Sequence, residues 1–321
     1  MIVVGSGKIE KNWFLAAIDS EGSMLYKKQL PSRAHHISVN QSNTQSLIIA
    51  RRPGYFARLF DSVSGQTIKE ITPPKDHYFF GHSCINKTNI FISCGDINSS
   101  GKLAIYDLNL NFEYFIELNN FGPHQIELID DQNIAIAIGG LKTIDREILN
   151  LENFQSELVI VNLKQKKITQ RYSLENKKLS LRHLHTFNKK IIIAAQIPDR
   201  ESLFDDLNTP LLYELKTDKL QAIAHPNWNE FNQYIASVSF DDNQLIATSP
   251  MGHCLSIWSK QNEQFQFTEQ LDYVDIASIT QLNDHAYWST GAGISAHKEN
   301  KSITISKQDI HWDNHWKAIY V

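Results

Sequence analysis

The residues in this sequence that are best suited to binding chemistry are histidines at the starts of apolar segments. His82, His124 and His183 each stand a few residues before a tight turn that leads into a run of apolar residues. Neutral imidazole is a good ligand for Zn, Cu and Fe ions, so these three histidines are candidates for a divalent metal site. Whether they meet depends on the elements that carry them.

The segments around these histidines repeat along the chain. In each copy the histidine is followed by a polar turn, at residues 86–88, 130–132 and 188–189, and then by an apolar run, at residues 89–94, 134–138 and 191–195. Short apolar runs between such turns predict antiparallel strands. A period of about forty to sixty residues is characteristic of four-stranded propeller blades. The sequence therefore predicts an all-β chain folded as a β-propeller.

The number of blades follows from the inner strands. Six of these strands are predicted to begin near His36, His82, His124, His183, Ala236 and Asp275. One further strand, at residues 315–321, remains at the C-terminus, and three strands, at residues 2–4, 14–18 and 24–26, remain at the N-terminus. Together these four make a seventh blade, which leaves no free sheet edge. We expect one domain over residues 1–321: a seven-bladed β-propeller closed by a C-terminal inner strand plus three N-terminal strands.

Composition excludes some classes of function. The 321 residues include 31 Lys and Arg and 35 Asp and Glu, for a net charge of −4. The basic residues are scattered, so nucleic-acid binding is not expected. No apolar run approaches the length that spans a bilayer. Cys84, Cys94 and Cys254 form no CxxC motif, and the first two are out of register across their hairpin, which predicts free, mostly buried thiols.

The first five residues have neither a basic region nor a long apolar core, so they do not form a signal peptide. Two localisations stay open: a cytoplasmic protein, or a periplasmic one whose leader is absent from this sequence. We expect a monomer.

Seven stretches, taken in order, resemble a bacterial β-propeller family catalogued as domain of unknown function 1513. They are residues 51–57, 78–83, 122–124, 149–151, 180–184, 249–252 and 312–315. The resemblance implies a propeller of the WD40-like and YVTN-like kind. It also implies an exported protein that usually carries a twin-arginine leader and occurs beside iron-uptake components, with no assigned activity.

The sequence departs from this family at three polar positions. The family pattern Glu-Asn-Asp is Cys94-Gly95-Asp96 here, Gln125 replaces a glutamate, and Ile138 replaces an asparagine. No role that needs the lost carboxylates or amide is therefore expected.

Strand direction predicts where the candidate residues meet. Because neighbouring strands alternate in direction, the start of each inner strand and the end of the next strand lie on the same side of the propeller. Arg33 and Arg52 are expected to reach this side as well. We therefore expect one mouth of the central channel to be lined by ligand-binding residues, namely His36, His82, Asp96, His124, Gln125, Arg182, His183, Gln196, Ser249 and His315.

The histidines have three interpretations: hydrogen bonds that join blades, a site for a small anion or molecule, and a metal site. The first is preferred, because a seven-bladed channel is wide compared with a metal–nitrogen distance of about 2.0–2.1 Å. Arg182 could clamp a carboxylate or phosphate with its guanidinium fork, or pair with an acid of the next blade. No catalytic residue is assigned, since residues 249–252 lack the Gly-x-Ser-x-Gly pattern and nothing relates Asp96 to Asp275.

Three other segments carry expectations. The insert at residues 141–156 is predicted to be a loop with one helical turn, and residues 199–209 a polar loop. Trp228, Phe231 and Tyr234 are expected to cover an edge between blades rather than to form an exposed patch for a partner.

Three functions follow from these observations. The preferred one is a non-enzymatic binding protein of the bacterial envelope, whose His-lined mouth holds a small anion or an envelope protein, linked to iron uptake as the resemblance implies. The second is a hydrolase or lactonase that uses metal-bound water. The third is a scaffold for protein interactions. The fold alone does not choose among them, but the lost acids at Gly95 and Gln125 disfavour the hydrolase.

Overall fold

A computed structural model describes residues 1–144, 147–199, 208–299 and 302–320. Within these residues seven antiparallel sheets form the blades of a β-propeller, as the sequence predicts. Blades 1 to 3 consist of β4–β7 (Ala34–Val39, Gln45–Ala50, Ala57–Asp61, Thr67–Ile71), β8–β11 (His77–Ile85, Asn89–Asp96, Ser100–Asp107, Phe112–Phe121) and β12, β13, β16 and β17 (Pro123–Leu128, Asn133–Ile138, Glu157–Asn162, Lys167–Tyr172).

Blades 4 to 6 consist of β18–β21 (Ser180–Phe187, Lys190–Gln196, Leu212–Lys216, Lys219–Ala222), β22–β25 (Ser237–Phe240, Gln244–Ser249, Cys254–Gln261, Gln264–Asp272) and β26–β29 (Ile276–Leu282, His285–Thr290, Ile294–Glu299, Ser302–Lys307). Blade 7 consists of β30 (His311–Trp312), β31 (Lys317–Ile319), β1 (Ile2–Ile9), β2 (Asn12–Asp19) and β3 (Met24–Leu30).

The core lies between adjacent blades. The second strand of a blade is buried on both faces, and in β13 all five residues from Ile134 to Ile138 are inaccessible to solvent. Leu47 and Ile49 of blade 1 pack against Phe79 and Ile92 of blade 2. This burial explains why these strands read as continuous apolar runs. Burial of each side chain of this size stabilises the folded state by about 1.5–3 kcal/mol relative to leaving it exposed.

Blade 7 is closed by both chain ends. β1 pairs with β31, with Ile2 opposite Ile319, and with β30, with Gly7 opposite Trp312. Of the inner strand predicted at residues 315–321, the structure forms β31, and β30 is a further piece that lies before the predicted range. Residues 313–316 separate the two pieces. Arg33 of blade 1 donates two hydrogen bonds to the Asp313 carboxylate in this gap, at 2.5 and 2.9 Å, and so joins blade 1 to the closing segment.

The insert after β13 differs from its prediction. Instead of a helical turn it contains a small hairpin of β14 (Thr143–Ile144) and β15 (Glu147–Ile148). The polar loop predicted at residues 199–209 lies mostly outside the described residues.

The remaining expectations about the chain can be compared directly. The three cysteines are free and buried, as predicted, with Cys84 opposite Phe91 and Cys94 opposite Phe79. Trp228–Phe231 is a 3₁₀ helix, and both of its aromatic side chains are buried in the core beside Trp258.

Candidate functional site

The inner strands enclose a central channel and share a local irregularity. In β4, β8, β12, β18 and β26 the pairing register with the second strand shifts close to the strand start. Such bulges re-aim side chains. At three of these shifts they deliver adjacent polar residues to the channel: His35 with His36, His124 with Gln125, and Arg182 with His183.

Glycine makes one of these bulges possible. Gly81 precedes His82 in β8 and has a φ of +103°, a conformation that disfavours a side chain. A Cβ atom at this position would lie 3.0 Å from the Cδ2 atom of His35. The Ser93 hydroxyl then holds the His82 backbone, accepting from its N–H at 3.3 Å and donating to its carbonyl at 3.1 Å.

Six imidazole rings fill the middle of the channel. We call this set the histidine cluster: His35, His36, His82, His124, His183 and His315. The ring centroids of His82 and His124 are 4.5 Å apart, those of His124 and His183 4.7 Å, and those of His35 and His315 4.7 Å. The expectation that a seven-bladed channel keeps histidines far apart is wrong, because the bulges bring the rings inward.

Several ring nitrogens of this cluster are buried without a hydrogen-bond partner among the described residues. His82 is 0% exposed, and neither of its ring nitrogens has a partner. The same is true of Nδ1 of His35, Nδ1 of His124 and Nε2 of His315. Leaving a buried polar atom unpaired destabilises the folded state by about 1–3 kcal/mol. Five such atoms in one cluster would therefore destabilise the fold considerably.

Burial keeps these rings neutral. It lowers the pKa of His82 well below its ordinary value, and the nearby imidazoles of His124 and His35 act in the same direction. Burial also lowers the pKa of His315 to about 4. Neutral imidazoles carry lone pairs on nitrogen, which is the form that binds metals.

A hydrogen bond with Gln125 orients the ring of His183. The Nδ1 atom of His183 is 3.3 Å from the Oε1 atom of Gln125, whose own amide donates to Glu127 at 2.9 Å. With Nδ1 protonated and donating, Nε2 of His183 keeps its lone pair. A hydrogen bond of this kind fixes the tautomer of metal-ligating histidines.

Two triplets of the cluster have nitrogens within 4.8 Å of one another, and His82 belongs to both. They are His35, His82, His315 and His82, His124, His183. Ligand atoms around a tetrahedral zinc ion lie about 3.4 Å apart, so coordination would draw the rings together by roughly 1 Å. The chemistry of the donor set therefore suits a first-row transition-metal ion.

One end of the channel, which we call the Arg end, lies beyond the cluster on the side where the inner strands begin. A cavity of about 190 Å³ opens there. It is lined by His35, Arg51, Arg52, Phe80, His124, Arg182, Gln196, Tyr234 and Asn314. The described residues of this lining include three arginines and neither aspartate nor glutamate.

The opposite end, which we call the Glu end, lies where the inner strands finish. It has a cavity of about 200 Å³ whose lining includes His36, Glu127, His185 and Lys317. Here Glu127 and His185 have protein partners. Glu127 accepts from the Thr186 backbone N–H at 2.8 Å, and His185 Nδ1 accepts from the Phe240 N–H of the next blade at 3.0 Å.

The predicted site residues divide into two groups. His82, His124, His183 and His315 meet in the cluster, which lies inside the channel rather than at one mouth. His36 also joins the cluster but lines the Glu end, and Gln125 contacts His183. Arg182 and Gln196 line the Arg end.

Asp96 and Ser249 have local roles. The Asp96 carboxylate accepts hydrogen bonds from the backbone of Asn98 and Ser100 in its own turn and lies 3.8 Å from Lys102. The Ser249 hydroxyl donates to the Phe231 carbonyl at 2.7 Å and accepts from the Gly252 N–H at 2.9 Å. Both side chains are accounted for by turn structure.

Sequence reasoning missed His35, Arg51 and Tyr234. Strand alternation turns only one of His35 and His36 inward, so only His36 was a candidate. Doublets of large polar residues at strand starts, such as His35-His36 and Arg182-His183, were the available signal for a bulge. Tyr234 was expected in an aromatic cover but lines the Arg end.

A separate cluster lies on blade 6. His285 Nδ1 and His297 Nε2 are 2.8 Å apart. Together with Glu299 they form a set of three side chains that could hold a metal ion. These residues are half-buried or exposed and belong to β27 and β28, away from the inner strand of the blade. They provide a control for any metal measured at the histidine cluster.

Most of the chain matches one family model. Residues 28–319 match the model of the family described as "Protein of unknown function (DUF1513)". The chain belongs to this family. Among curated proteins, none matches it.

Solved structures similar to this DUF1513 protein share only its fold. Kuenenia stuttgartiensis hydrazine synthase has 10% identity and a TM-score of 0.67, with 92% of each chain covered. The WD40 repeats of RRP9 have 10% identity and a TM-score of 0.61, covering 88% of this chain and 84% of theirs. BamB from Moraxella catarrhalis has 6% identity and a TM-score of 0.54, covering 95% of this chain and 85% of its own.

The described residues of this DUF1513 protein include no helix with the length and apolar character needed to cross a membrane.

Proposed function

We propose that this protein is a non-enzymatic binding protein that holds one transition-metal ion in the histidine cluster. The observation that carries the proposal is His82, a fully buried ring that is shared by two ligand triplets and has no hydrogen-bond partner on either nitrogen among the described residues. A metal ion would coordinate lone pairs that the protein otherwise leaves unpaired.

The competing interpretation, hydrogen bonds that join blades, has examples in the same channel. His185 accepts from the Phe240 backbone of the next blade at 3.0 Å, and His36 lies 3.5 Å from the Ser83 N–H of its neighbour. The bare nitrogens of His82 make no such bond. This contrast favours a ligand over a structural role for the ring of His82.

Binding is favoured over hydrolysis by the acids near the cluster. A metal-dependent hydrolase needs a base for its metal-bound water. Glu127 is engaged by Gln125 and Thr186, and Asp313 by Arg33. Export to the periplasm and a link to iron uptake, which the resemblance implies, form part of the same proposal, with Fe²⁺ as one ion that imidazole ligands suit.

Elemental analysis of purified, never-chelated protein tests the proposal. We expect about one transition-metal ion per chain, its loss in His82→Leu, and its retention in the control His285→Ala, which disrupts only the blade 6 cluster. Far-ultraviolet circular dichroism checks that His82→Leu is folded. If wild-type protein holds no metal and takes up neither Zn²⁺ nor Fe²⁺ on dialysis, the proposal is wrong.

A further inference from the structure

The Arg end contains a buried cation that has no acidic partner among the described residues. Arg182 is only 9% exposed, and the described residues that line the cavity around it include no aspartate or glutamate. Its contact there is Gln196, which, with its amide oxygen facing the guanidinium, accepts from Nε at 3.2 Å and from Nη2 at 3.1 Å. Gln196 is neutral, so it satisfies hydrogen bonds but not the charge.

The surroundings of Arg182 increase this imbalance. Burial, with the nearby charge of Arg52, lowers the pKa of Arg182 to about 10. A buried charge costs several kcal/mol unless it is paired. Gly139 nevertheless leaves room for the side chain, since a Cβ atom there would lie 3.3 Å from the Cζ atom of Arg182.

We propose that the cavity at the Arg end binds a small oxyanion, a carboxylate- or phosphate-bearing molecule, with Arg182 as its principal contact. A guanidinium offers paired donors that match the oxygens of both groups. Arg52, held 5.5 Å above the Phe80 ring, brings a second positive charge to the same cavity.

Tyr234 completes the donor set. It accepts a hydrogen bond from the Asn314 amide at 3.5 Å, an arrangement in which its own O–H can donate to a ligand. The cavity of about 190 Å³ has room for a small anion. The site does not depend on a metal ion, because the charge of Arg182 is present without one.

Isothermal titration calorimetry on chelator-treated, dialysed full-length protein tests the inference, with inorganic phosphate and succinate as separate probes. We expect one probe or both to bind 1:1 with a Kd below roughly 1 mM. Binding of phosphate alone identifies a phosphate-bearing ligand, and binding of succinate alone a carboxylate. Since the protein is metal-free, the result is separate from the test of the metal site.

Matched variants locate the binding. Arg182→Gln should weaken the affinity at least tenfold, whereas Arg58→Gln, at an ion pair with Glu70 on the outer strands, should leave it unchanged. The inference is wrong if neither probe binds to wild-type protein or if both variants bind as tightly as wild type.

A second variant decides the case where Arg182→Gln does not fold. Gln196→Glu places a carboxylate beside the guanidinium and supplies the missing negative charge within the protein. We expect this variant to have a higher Tm than wild type and to lose binding of the probes. Unchanged binding in Gln196→Glu would overturn the inference.

Discussion

The two ends of the channel are built from the same inner strands, yet they treat polar side chains in opposite ways. At the Glu end the polar groups bond to protein: Ser38 bonds to Ser83 at 2.7 Å, and Glu127 accepts from Thr186 at 2.8 Å. At the Arg end the fold keeps the buried cation Arg182 beside a neutral Gln196. Between the two ends, neither ring nitrogen of His82 has a hydrogen-bond partner among the residues that the structure describes.

This difference distinguishes polar side chains that bond to the protein itself from polar side chains that remain available to a ligand. Folded proteins satisfy nearly all their buried polar atoms, as Glu127 and His185 are satisfied at the Glu end. Of the twelve buried side-chain polar atoms that lack a partner among the described residues, five are ring nitrogens of the histidine cluster. We infer that these five nitrogens are available to a ligand. The predictions below test whether the two regions differ in energy as they do in contacts.

The largest expected effect is an acid-induced loss of stability that originates in the histidine cluster. Unfolded imidazole titrates near pH 6.5, whereas burial lowers the pKa of His82, His35 and His183 well below that value and the pKa of His315 to about 4. Between these pH values the unfolded chain binds more protons, so the free energy of unfolding decreases as pH falls below 6.5. Each histidine contributes up to about 1.4 kcal/mol per pH unit.

Urea denaturation of metal-free protein at several pH values measures this effect. The histidines of this region have several charged neighbours, which are the same in wild-type protein and in the His82→Leu variant. They are Arg33, Arg51, Arg182, Lys317, Asp313 and Glu127. The His82→Leu variant removes one titrating ring and should show a shallower pH dependence below pH 6.5. A wild-type stability that stays constant from pH 6.5 to pH 5 would contradict the prediction.

A smaller loss of stability is expected when the Glu end loses the carboxylate of Glu127. Glu127→Ala leaves the Gln125 amide and the Thr186 N–H without their acceptor. Because these groups are partly buried, the free energy of unfolding should fall by about 1–3 kcal/mol.

The control for Glu127→Ala is Glu70→Ala, which breaks the ion pair with Arg58 on the outer strands. An exposed pair of this kind contributes about 0–1 kcal/mol. If the two variants lose the same stability in urea, the Glu end is not the tightly bonded region that its contacts indicate.

The smallest effects come from one pair of matched substitutions. His185→Leu leaves the Phe240 N–H without its acceptor and should destabilise the protein by about 1 kcal/mol or more. His82→Leu removes nitrogens that have no protein partner, so metal-free protein should change by less than about 1 kcal/mol or become more stable. Thermal unfolding with a chelator present compares the two, and a larger loss in His82→Leu would make its ring structural.

The propeller itself was predictable from local pattern. The runs at Ile134–Ile138 and Ile191–Ala195 read as strands because apolar residues buried on both faces need no alternation. The spare strands at the two chain ends pair with each other, because an open stack of blades would expose a sheet edge. The pairing of Thr143–Ile144 with Glu147–Ile148 was not predictable in the same way, since two-residue strands carry too short a pattern.

The candidate site was predictable only in its residue types. The repeated histidines pointed to the channel, and His82, His124, His183 and His315 do meet there. Their partners were not predictable. Asp96 was predicted to line the channel, but its carboxylate accepts a hydrogen bond from the Asn98 N–H in its own turn. Aspartate side chains commonly bond to the backbone two residues further along the chain.

By itself the sequence determined the fold: seven blades, a closure made by both ends, and histidines near the starts of the inner strands. The tertiary structure alone decided that His35 joins His36 in the channel. It also decided that, within the part of the chain that the structure describes, Arg182 is buried without an acidic partner and His82 has no hydrogen-bond partner on its ring. The physical reason is that strand pattern depends on neighbours along the chain, whereas a bulge and a missing partner depend on neighbours in other blades. Chemistry at this channel is set by that second kind of contact.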